Sequence, residues 1–512
     1  MTQPITHLWR LFKWGRTLAR HGALRGIEHD PLTPPNVRRL VRVARFGTRQ
    51  PEVPDYAAAL QAIGPAAIKL GQALATRPDL VGEAAAMNLL QLQDSVPPAP
   101  FAAIKAEIER ALEAPLEALY SEFDPVPVGA ASIAQVHRAK TIEGRDVAVK
   151  VLRPGVEEEF ARALETYEWA AAHVELLGGE AERLRPRLVI AHFKQWTRRE
   201  LDLQREAASA SELKENMVAE PGFYVPEIDW TRTARRVLTL EWLDGIKLSD
   251  RARLIEEGHD PAQLAAILVR AFLRQAVVDG YFHADLHQGN LFALRDGRVA
   301  AIDFGIMGRI DRRARLWLAE ILYGLITGNY RRVAEIHFEA QYVPAHHNVA
   351  EFATALRAIG EPIRGLPVKQ ISVGRMLEGL FTITRDFDMQ TQPHLLLLQK
   401  TMVMEEGVAT ALDPDINMWE TSEPFLKEWL RGELGPEAYY ADKIVDTVRA
   451  FKLIPDLIRR IDAAYPPAGA APPPPPLAEV DPHDSWPWLA AALAALLAAG
   501  AGAAITAAVL LN

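Results

Sequence analysis

At 512 residues, with 49% apolar and 24% charged residues, the chain can bury the cores of two or three globular domains, which excludes disorder as its general state. It has no cysteine, which excludes disulfides, thiolate catalysis and cysteine-ligated zinc or iron–sulfur chemistry. A net charge of −9 argues against nucleic acid as a partner, although positive charge is concentrated near the N-terminus.

In chain order, residues 1–50 form a basic segment in which Arg10, Lys13, Arg16, Arg20 and several later arginines outnumber Glu28 and Asp30. Its stretch Leu8-Trp9-Arg10-Leu11-Phe12-Lys13-Trp14-Gly15-Arg16 suits a helix lying on anionic lipid, and equally a solvated basic arm or a helix packed on the protein itself. Residues 51–122 read as a helical extension rich in Ala and Leu, broken at Pro97–Pro100. Residues 123–245 read as a small, sheet-containing lobe. Within it, Ser132–Ala139 and Arg145–Leu152 read as strands joined by a turn at Glu143-Gly144, a long helical stretch follows from Val156 to about Met217, and strands around Arg236–Glu241 run into Trp242. Residues 246–464 read as a larger helical lobe, interrupted by a loop and by short strands around Leu291-Phe292 and Val299–Asp303. A proline-rich linker at 465–485 precedes residues 486–511, an uncharged stretch longer than the ~20 residues one bilayer crossing needs. Trp486 and Trp488 stand where an interfacial belt is expected.

The loop in the larger lobe carries the chemistry. His283-Ala284-Asp285-Leu286-His287-Gln288-Gly289-Asn290, followed by Asp303-Phe304-Gly305, has the spacing of a kinase-like catalytic loop and metal-binding aspartate. Moving a γ-phosphoryl group requires charge neutralisation and positioning, so lysine, divalent metal and carboxylates must converge on the phosphates. Lys150, ending Val147-Ala148-Val149-Lys150, is the lysine for the α/β-phosphates, and Glu206 is the helix carboxylate to pair with it. Asp303 and Asn290 are the metal ligands, and Asp285 orients or deprotonates the nucleophile. Glu241-Trp242-Leu243 is the hinge whose backbone meets adenine. Two other readings of the loop exist: His283, Asp285 and His287 as a hydrolase metal cluster, or His283 as a packed structural histidine. Two kinase features are missing. The phosphate-covering loop reads Gly129-Ala130-Ala131-Ser132 instead of a glycine-rich run, and Gly305 is followed by a helix over Arg312–Gly324 with no Ala-Pro-Glu platform for a protein substrate.

With Lys69-Leu70-Gly71-Gln72, Glu200-Leu201-Asp202 and Leu395–Pro414, these departures make the chain resemble the UbiB/AarF/ADCK family of atypical protein-kinase-like proteins, from about Gly64 to Trp419. The resemblance implies an α+β, atypical protein-kinase-like bilobal fold, here with an N-terminal helical extension and a C-terminal transmembrane helix. It also implies that the Lys-x-Gly-Gln helix folds over the active site, so that Lys69 meets Glu200 and Asp202, with Gln72 one turn along on the same face. ATP and Mg2+ are the implied ligands. Ubiquinone biosynthesis at a membrane is the implied role, with ATPase activity and action on lipid precursors. Relatives also bear the name 2-polyprenylphenol 6-hydroxylase, but no flavin fingerprint or iron site accompanies it in this sequence. The family loop commonly begins with alanine where this chain has Gly129, a change that relaxes the backbone beside the nucleotide.

The sequence thus leads to a kinase-fold ATPase anchored in the inner (cytoplasmic) membrane by one C-terminal span, its catalytic domain in the cytoplasm with ATP. Expected partners are membrane lipid, hydrophobic quinone precursors, quinone-biosynthesis enzymes and a second copy of the chain through the C-terminal helix. The alternatives are a phosphotransferase acting on a protein or small molecule, and a nucleotide-binding scaffold.

Overall fold

The computed structural model describes residues 4–25, 35–48, 51, 53–75, 85, 88–89, 92, 96–175, 186–364, 383, 386–389, 393–416 and 418–433. The proline-rich linker, the 486–511 span and a homodimer through it lie outside the described residues.

The chain opens with α1 (Pro4–Arg20), α2 (Pro35–Arg45), α3 (Tyr56–Ile63) and α4 (Pro65–Ala75), then α5 (Phe101–Leu112) and α6 (Leu116–Leu119). The first helix packs one face on the protein. Leu8, Leu11 and Leu18 are buried, Trp14 packs on Tyr167 at 5.2 Å, and His7 Nδ1 lies 3.1 Å from the Thr166 hydroxyl. Trp9 and Phe46 stay outside, 66% and 82% exposed.

The small lobe is an antiparallel sheet in the order β1 (Tyr120–Phe123), β3 (Ala134–Thr141), β4 (Asp146–Leu152), β6 (Val237–Glu241), with β2 (Gly129–Ala130) pairing along β3. β3 begins at Ala134 rather than at Ser132, because Ala131 donates its N–H back to the Ala134 carbonyl at 2.8 Å and closes a turn. Period-two alternation in β4 decides what each face receives. Val147, Val149 and Val151 pack on Ile104 and Ile108 of α5. Ala148 and Leu152 turn to the other face, and Lys150, in step with them, is carried there too.

The helical stretch expected from Val156 to about Met217 is observed as three helices, α7 (Val156–Glu175), α8 (Pro186–Glu200) and α9 (Leu203–Asn216). Two start signals account for the division: Pro186 opens α8, and the Asp202 carboxylate caps α9 by accepting from the Arg205 N–H. Leu203 and Ala207 of α9 lie against the face of the sheet that holds Ala148 and Leu152.

The second lobe carries β5 (Phe223–Tyr224) and β7 (Gly245–Lys247), then α10 (Arg251–Glu256), α11 (Pro261–Leu273), β8 (Tyr281–His283), β9 (Leu291–Leu294), β10 (Val299–Ala301) and β11 (Met307–Arg309). The strands pair as β5-β10-β9-β7 and β8-β11, and helices α12 (Arg312–Thr327), α13 (Tyr330–Glu339), α14 (Val349–Arg364), α15 (Pro393–Leu412) and α16 (Met418–Glu433) follow. Among the described residues, one helix is long and apolar enough to cross a bilayer, Pro261–Asp279. Its Leu264, Leu268 and Val269 are buried in the core of this lobe, where they meet Phe304, Val408 and Leu412. Gly280 ends it at φ +64°, and a Cβ there would stand 2.4 Å from the Ile310 carbonyl oxygen, so glycine is required at the entry to β8.

Candidate active site

Lys150 reaches across the cleft from β4. Its Nζ is 2.7 Å and 2.9 Å from the two carboxylate oxygens of Glu206 and 3.3 Å from Asp303 Oδ2. Glu206 sits in the first turn of α9, beside the Ala207 that packs on the sheet, so the helix cannot dock without bringing its carboxylate to the lysine. Burial alone would lower the pKa of Lys150, but the charges of Asp303 and Glu206 outweigh it and hold the ammonium above the usual lysine range. Asp303 resists burial in the same way, through Lys150, the Gly305 N–H at 3.0 Å and Lys69, and its carboxyl stays well below the usual range. Glu206 is raised by burial, with Lys150 pulling the other way and Asp303 adding to the rise. One cation thus serves two carboxylates, with Asp303 the stronger acid.

The catalytic loop is fixed from below by a histidine. His283 is buried, and its Nδ1 accepts from the Asp285 N–H at 3.1 Å, so Nε2 carries the proton and donates to the Asp303 carbonyl. Burial lowers the pKa of this ring and keeps it neutral. His287 turns elsewhere and accepts from the Gly289 N–H at 3.1 Å. Among the described residues, His283, Asp285 and His287 do not form a convergent ligand set, which removes the metal-cluster reading of the loop. The Asn290 carbonyl accepts from the Ile302 N–H at 3.1 Å, which sets Asn290 beside the segment that ends in Asp303.

Asp285 has a partner that motif spacing did not supply. Lys400 of α15 places its Nζ 3.0 Å from Asp285 Oδ1. The signal was visible in principle, since Lys400 is the one charged residue in the apolar run from Leu395 to Met404, where Gln399 and Thr401 are the other polar residues. An amphipathic or buried helix seldom carries such a lysine without a carboxylate to meet it.

In the stretch Gly129-Ala130-Ala131-Ser132, Gly129 pairs with Val136 and Ala130 with Gln135 of β3. Ser132 is buried, and the Ala130 carbonyl accepts from the Val96 N–H at 3.4 Å. A Cβ at Gly129 would touch nothing within 4 Å, so packing does not demand glycine there. At the end of β6, Glu241 accepts from the Tyr224 hydroxyl at 2.6 Å, the Trp242 N–H donates to the Asp146 carbonyl at 3.1 Å, and Leu243 follows on the way to β7.

Lys69 on α4 pairs with Glu200 at the end of α8, Nζ to Oε2 at 3.4 Å, and lies 5.9 Å from the centre of the Trp196 ring. Trp196 is a contact the sequence reading did not anticipate. Asp202 caps α9 instead and pairs with Arg205 at 3.5 Å, while Gln72 is half-buried on α4. A Cβ at Gly71 would stand 2.4 Å from Leu60 Cδ1 and 2.5 Å from Leu92 Cδ1, so glycine lets α4 approach its neighbours.

A β-strand lysine shared by a helix carboxylate and the aspartate of Asp-Phe-Gly, with alanines in place of the glycine-rich run at Gly129–Ser132, defines an atypical kinase-like fold. Residues 91–337 match the ABC1 atypical kinase-like domain, and residues 356–417 match the UbiB helical domain. A Marinobacter nauticus protein named "Probable protein kinase UbiB" is 42% identical over 382 residues, which cover 74% of this chain and 70% of that protein. The solved complex of Rv3197 with erythromycin, from Mycobacterium tuberculosis, aligns with a TM-score of 0.50 and 25% identity over 64% of this chain and 83% of that one. The chain belongs to the UbiB family of kinase-like proteins.

Proposed function

We propose that the chain is a membrane-anchored ATPase that supports ubiquinone biosynthesis by handling hydrophobic quinone precursors. The observation that carries the nucleotide part is the Lys150 ion pair with both Glu206 and Asp303, since kinase-like chemistry requires both partners in place at once. Magnesium suits the site: Asp303 keeps its charge, its side chain remains 43% accessible, and with Asn290 it offers the hard oxygen ligands that ion prefers. When bound, the ion neutralises phosphate charge. Lys150 would hold the α/β-phosphates, the lip from Gly129 to Ser132 would cover them, and the hinge backbone from Glu241 to Leu243 would take the adenine.

Asp285, steadied by Lys400, would orient the attacking water. Lys69, held against Glu200 and Trp196, would keep a helix over the cleft where a peptide would otherwise dock, which favours a water or lipid substrate over a protein one. Residues 486–511 would supply the anchor. The exposed Trp9 and Phe46, among the arginines of α1 and α2, would supply a second contact with lipid. Quinone-biosynthesis enzymes are the proposed protein partners.

The experiment is ATP hydrolysis with magnesium by protein lacking the residues after Pro476, with and without liposomes and a quinone-precursor mimic, and with Asp303→Asn as blank. Lipid-stimulated turnover that vanishes in the variant supports the proposal. Nucleotide binding without turnover under every condition replaces it with a scaffold, and Asp285-dependent phosphate on an acceptor replaces it with a phosphotransferase.

A further inference from the structure

Outside the nucleotide cleft, two adjacent histidines and one aspartate converge. His346 and His347 follow α13 in the turn that leads to α14, and Asp388 lies 41 positions beyond His347. Adjacent residues on an extended chain point to opposite sides. Here the two imidazoles instead lie with ring centres 4.2 Å apart, and their Nε2 atoms meet the same oxygen, Asp388 Oδ2, at 3.5 Å from His346 and 3.0 Å from His347.

The arrangement is held from behind. The His347 N–H closes the turn on the Pro344 carbonyl at 3.2 Å, and the Asn348 side chain accepts from the Ala350 N–H at 2.8 Å to start α14. Phe387, next to Asp388, packs on His347 at 5.3 Å and on the buried Phe352 at 4.9 Å. Asp388 itself has φ +49°, the left-handed region that a side chain seldom adopts without a local reason.

We propose that His346, His347 and Asp388 bind a zinc-class divalent ion. The three ligand atoms all lie within 4.8 Å of one another. Metal-to-ligand distances of ~2.0–2.1 Å place tetrahedral ligands ~3.4 Å apart, a value bracketed by the two measured separations. Two imidazoles and a carboxylate suit a borderline ion, and His346, 66% exposed on its side chain, leaves room for water as the fourth ligand. The consequence is a tie that reaches from the segment between the two domains. The histidines fall after residue 337, where the kinase-like match ends, and before residue 356, where the helical-domain match begins; Asp388 lies inside the latter. A bound ion would tie the connecting turn to the helical domain.

The test is calorimetric titration of the purified full-length chain with Zn2+ in excess Mg2+, beside thermal melting. Because the chain has 14 histidines, variants decide the question. His346→Gln changes an exposed side chain and leaves the fold intact, and Asp388→Asn is the second variant. The expected result is one zinc equivalent that weakens by ~10²-fold or more in both variants, with a zinc-dependent rise in melting temperature confined to wild type. Equal zinc affinity and stoichiometry in wild type and His346→Gln, or no zinc uptake by wild type, overturns the proposal.

Discussion

Lys400 Nζ sits 3.0 Å from Asp285 Oδ1 across 115 positions of sequence, so the UbiB helical domain holds the aspartate of the kinase-like catalytic loop. Replacing Lys400 by alanine leaves that carboxylate without its cation. ATP turnover should fall by ~10–10²-fold with little change in nucleotide affinity, and Lys400→Arg should recover part of the loss. Equal loss of binding and turnover would show that the lysine supports folding instead.

On the proposed nucleotide reading, Lys150→Ala and Asp303→Asn each remove charge that would face the phosphates, so each should lower ATP turnover by ~10²-fold or more. The two differ in stability. Lys150→Ala strands Glu206 in a buried position and should destabilise the protein by about 3–5 kcal/mol, whereas Asp303→Asn should not. Activity assays and urea melts on both variants check this, and undiminished turnover in either rejects the site.

Gly129→Ala should fold normally, because the added methyl meets nothing within 4 Å. Its effect should appear in nucleotide binding alone, as the backbone at the lip loses freedom. Parallel melting and ATP and ADP affinity measurements separate these outcomes, and a lower melting temperature would contradict the open space seen at that position.

Acid should destabilise the protein through its buried neutral histidines. Burial pushes His337 from 6.5 to about 4, and His283 is lowered in the same direction. Between those values the unfolded chain binds a proton that the folded chain refuses, so stability is whole above pH 6.5 and declines as the pH falls towards about 4. His337 alone should account for about 3 kcal/mol over that window. His337→Gln should flatten the dependence of unfolding free energy on pH, and an unchanged slope would show that this ring is not the source.

The site was legible wherever chemistry depends on spacing along one loop. Asp285 and Asn290, and the Lys150 that β4 alternation turns inward, could be read because a strand or a tight loop fixes its own side chains. Contacts between distant elements were not. Lys400 meets Asp285, and Trp196 meets Lys69, only after whole helices have packed. The resemblance to a known family supplied the Lys69–Glu200 pair, and it was silent on the Asp202 carboxylate serving as a helix cap. Periodicity was equally silent about what covers α1, since lipid and protein satisfy the same apolar stripe. The strands Tyr281–His283 and Met307–Arg309 are too short for alternation to register.

His283 is bonded at both nitrogens, to Asp285 on one side and to Asp303 on the other. Phe304, buried against the same ring at 5.7 Å, shares that restraint. Compounds that depend on an outward-turned Asp-Phe-Gly phenylalanine would have to break the histidine's bond to Asp303 before they could enter. On the proposed reading of Glu241–Leu243 as the adenine-binding segment, compounds that run from Leu243 to Lys150 would leave that bond intact, which makes that side the better place to begin inhibitor design.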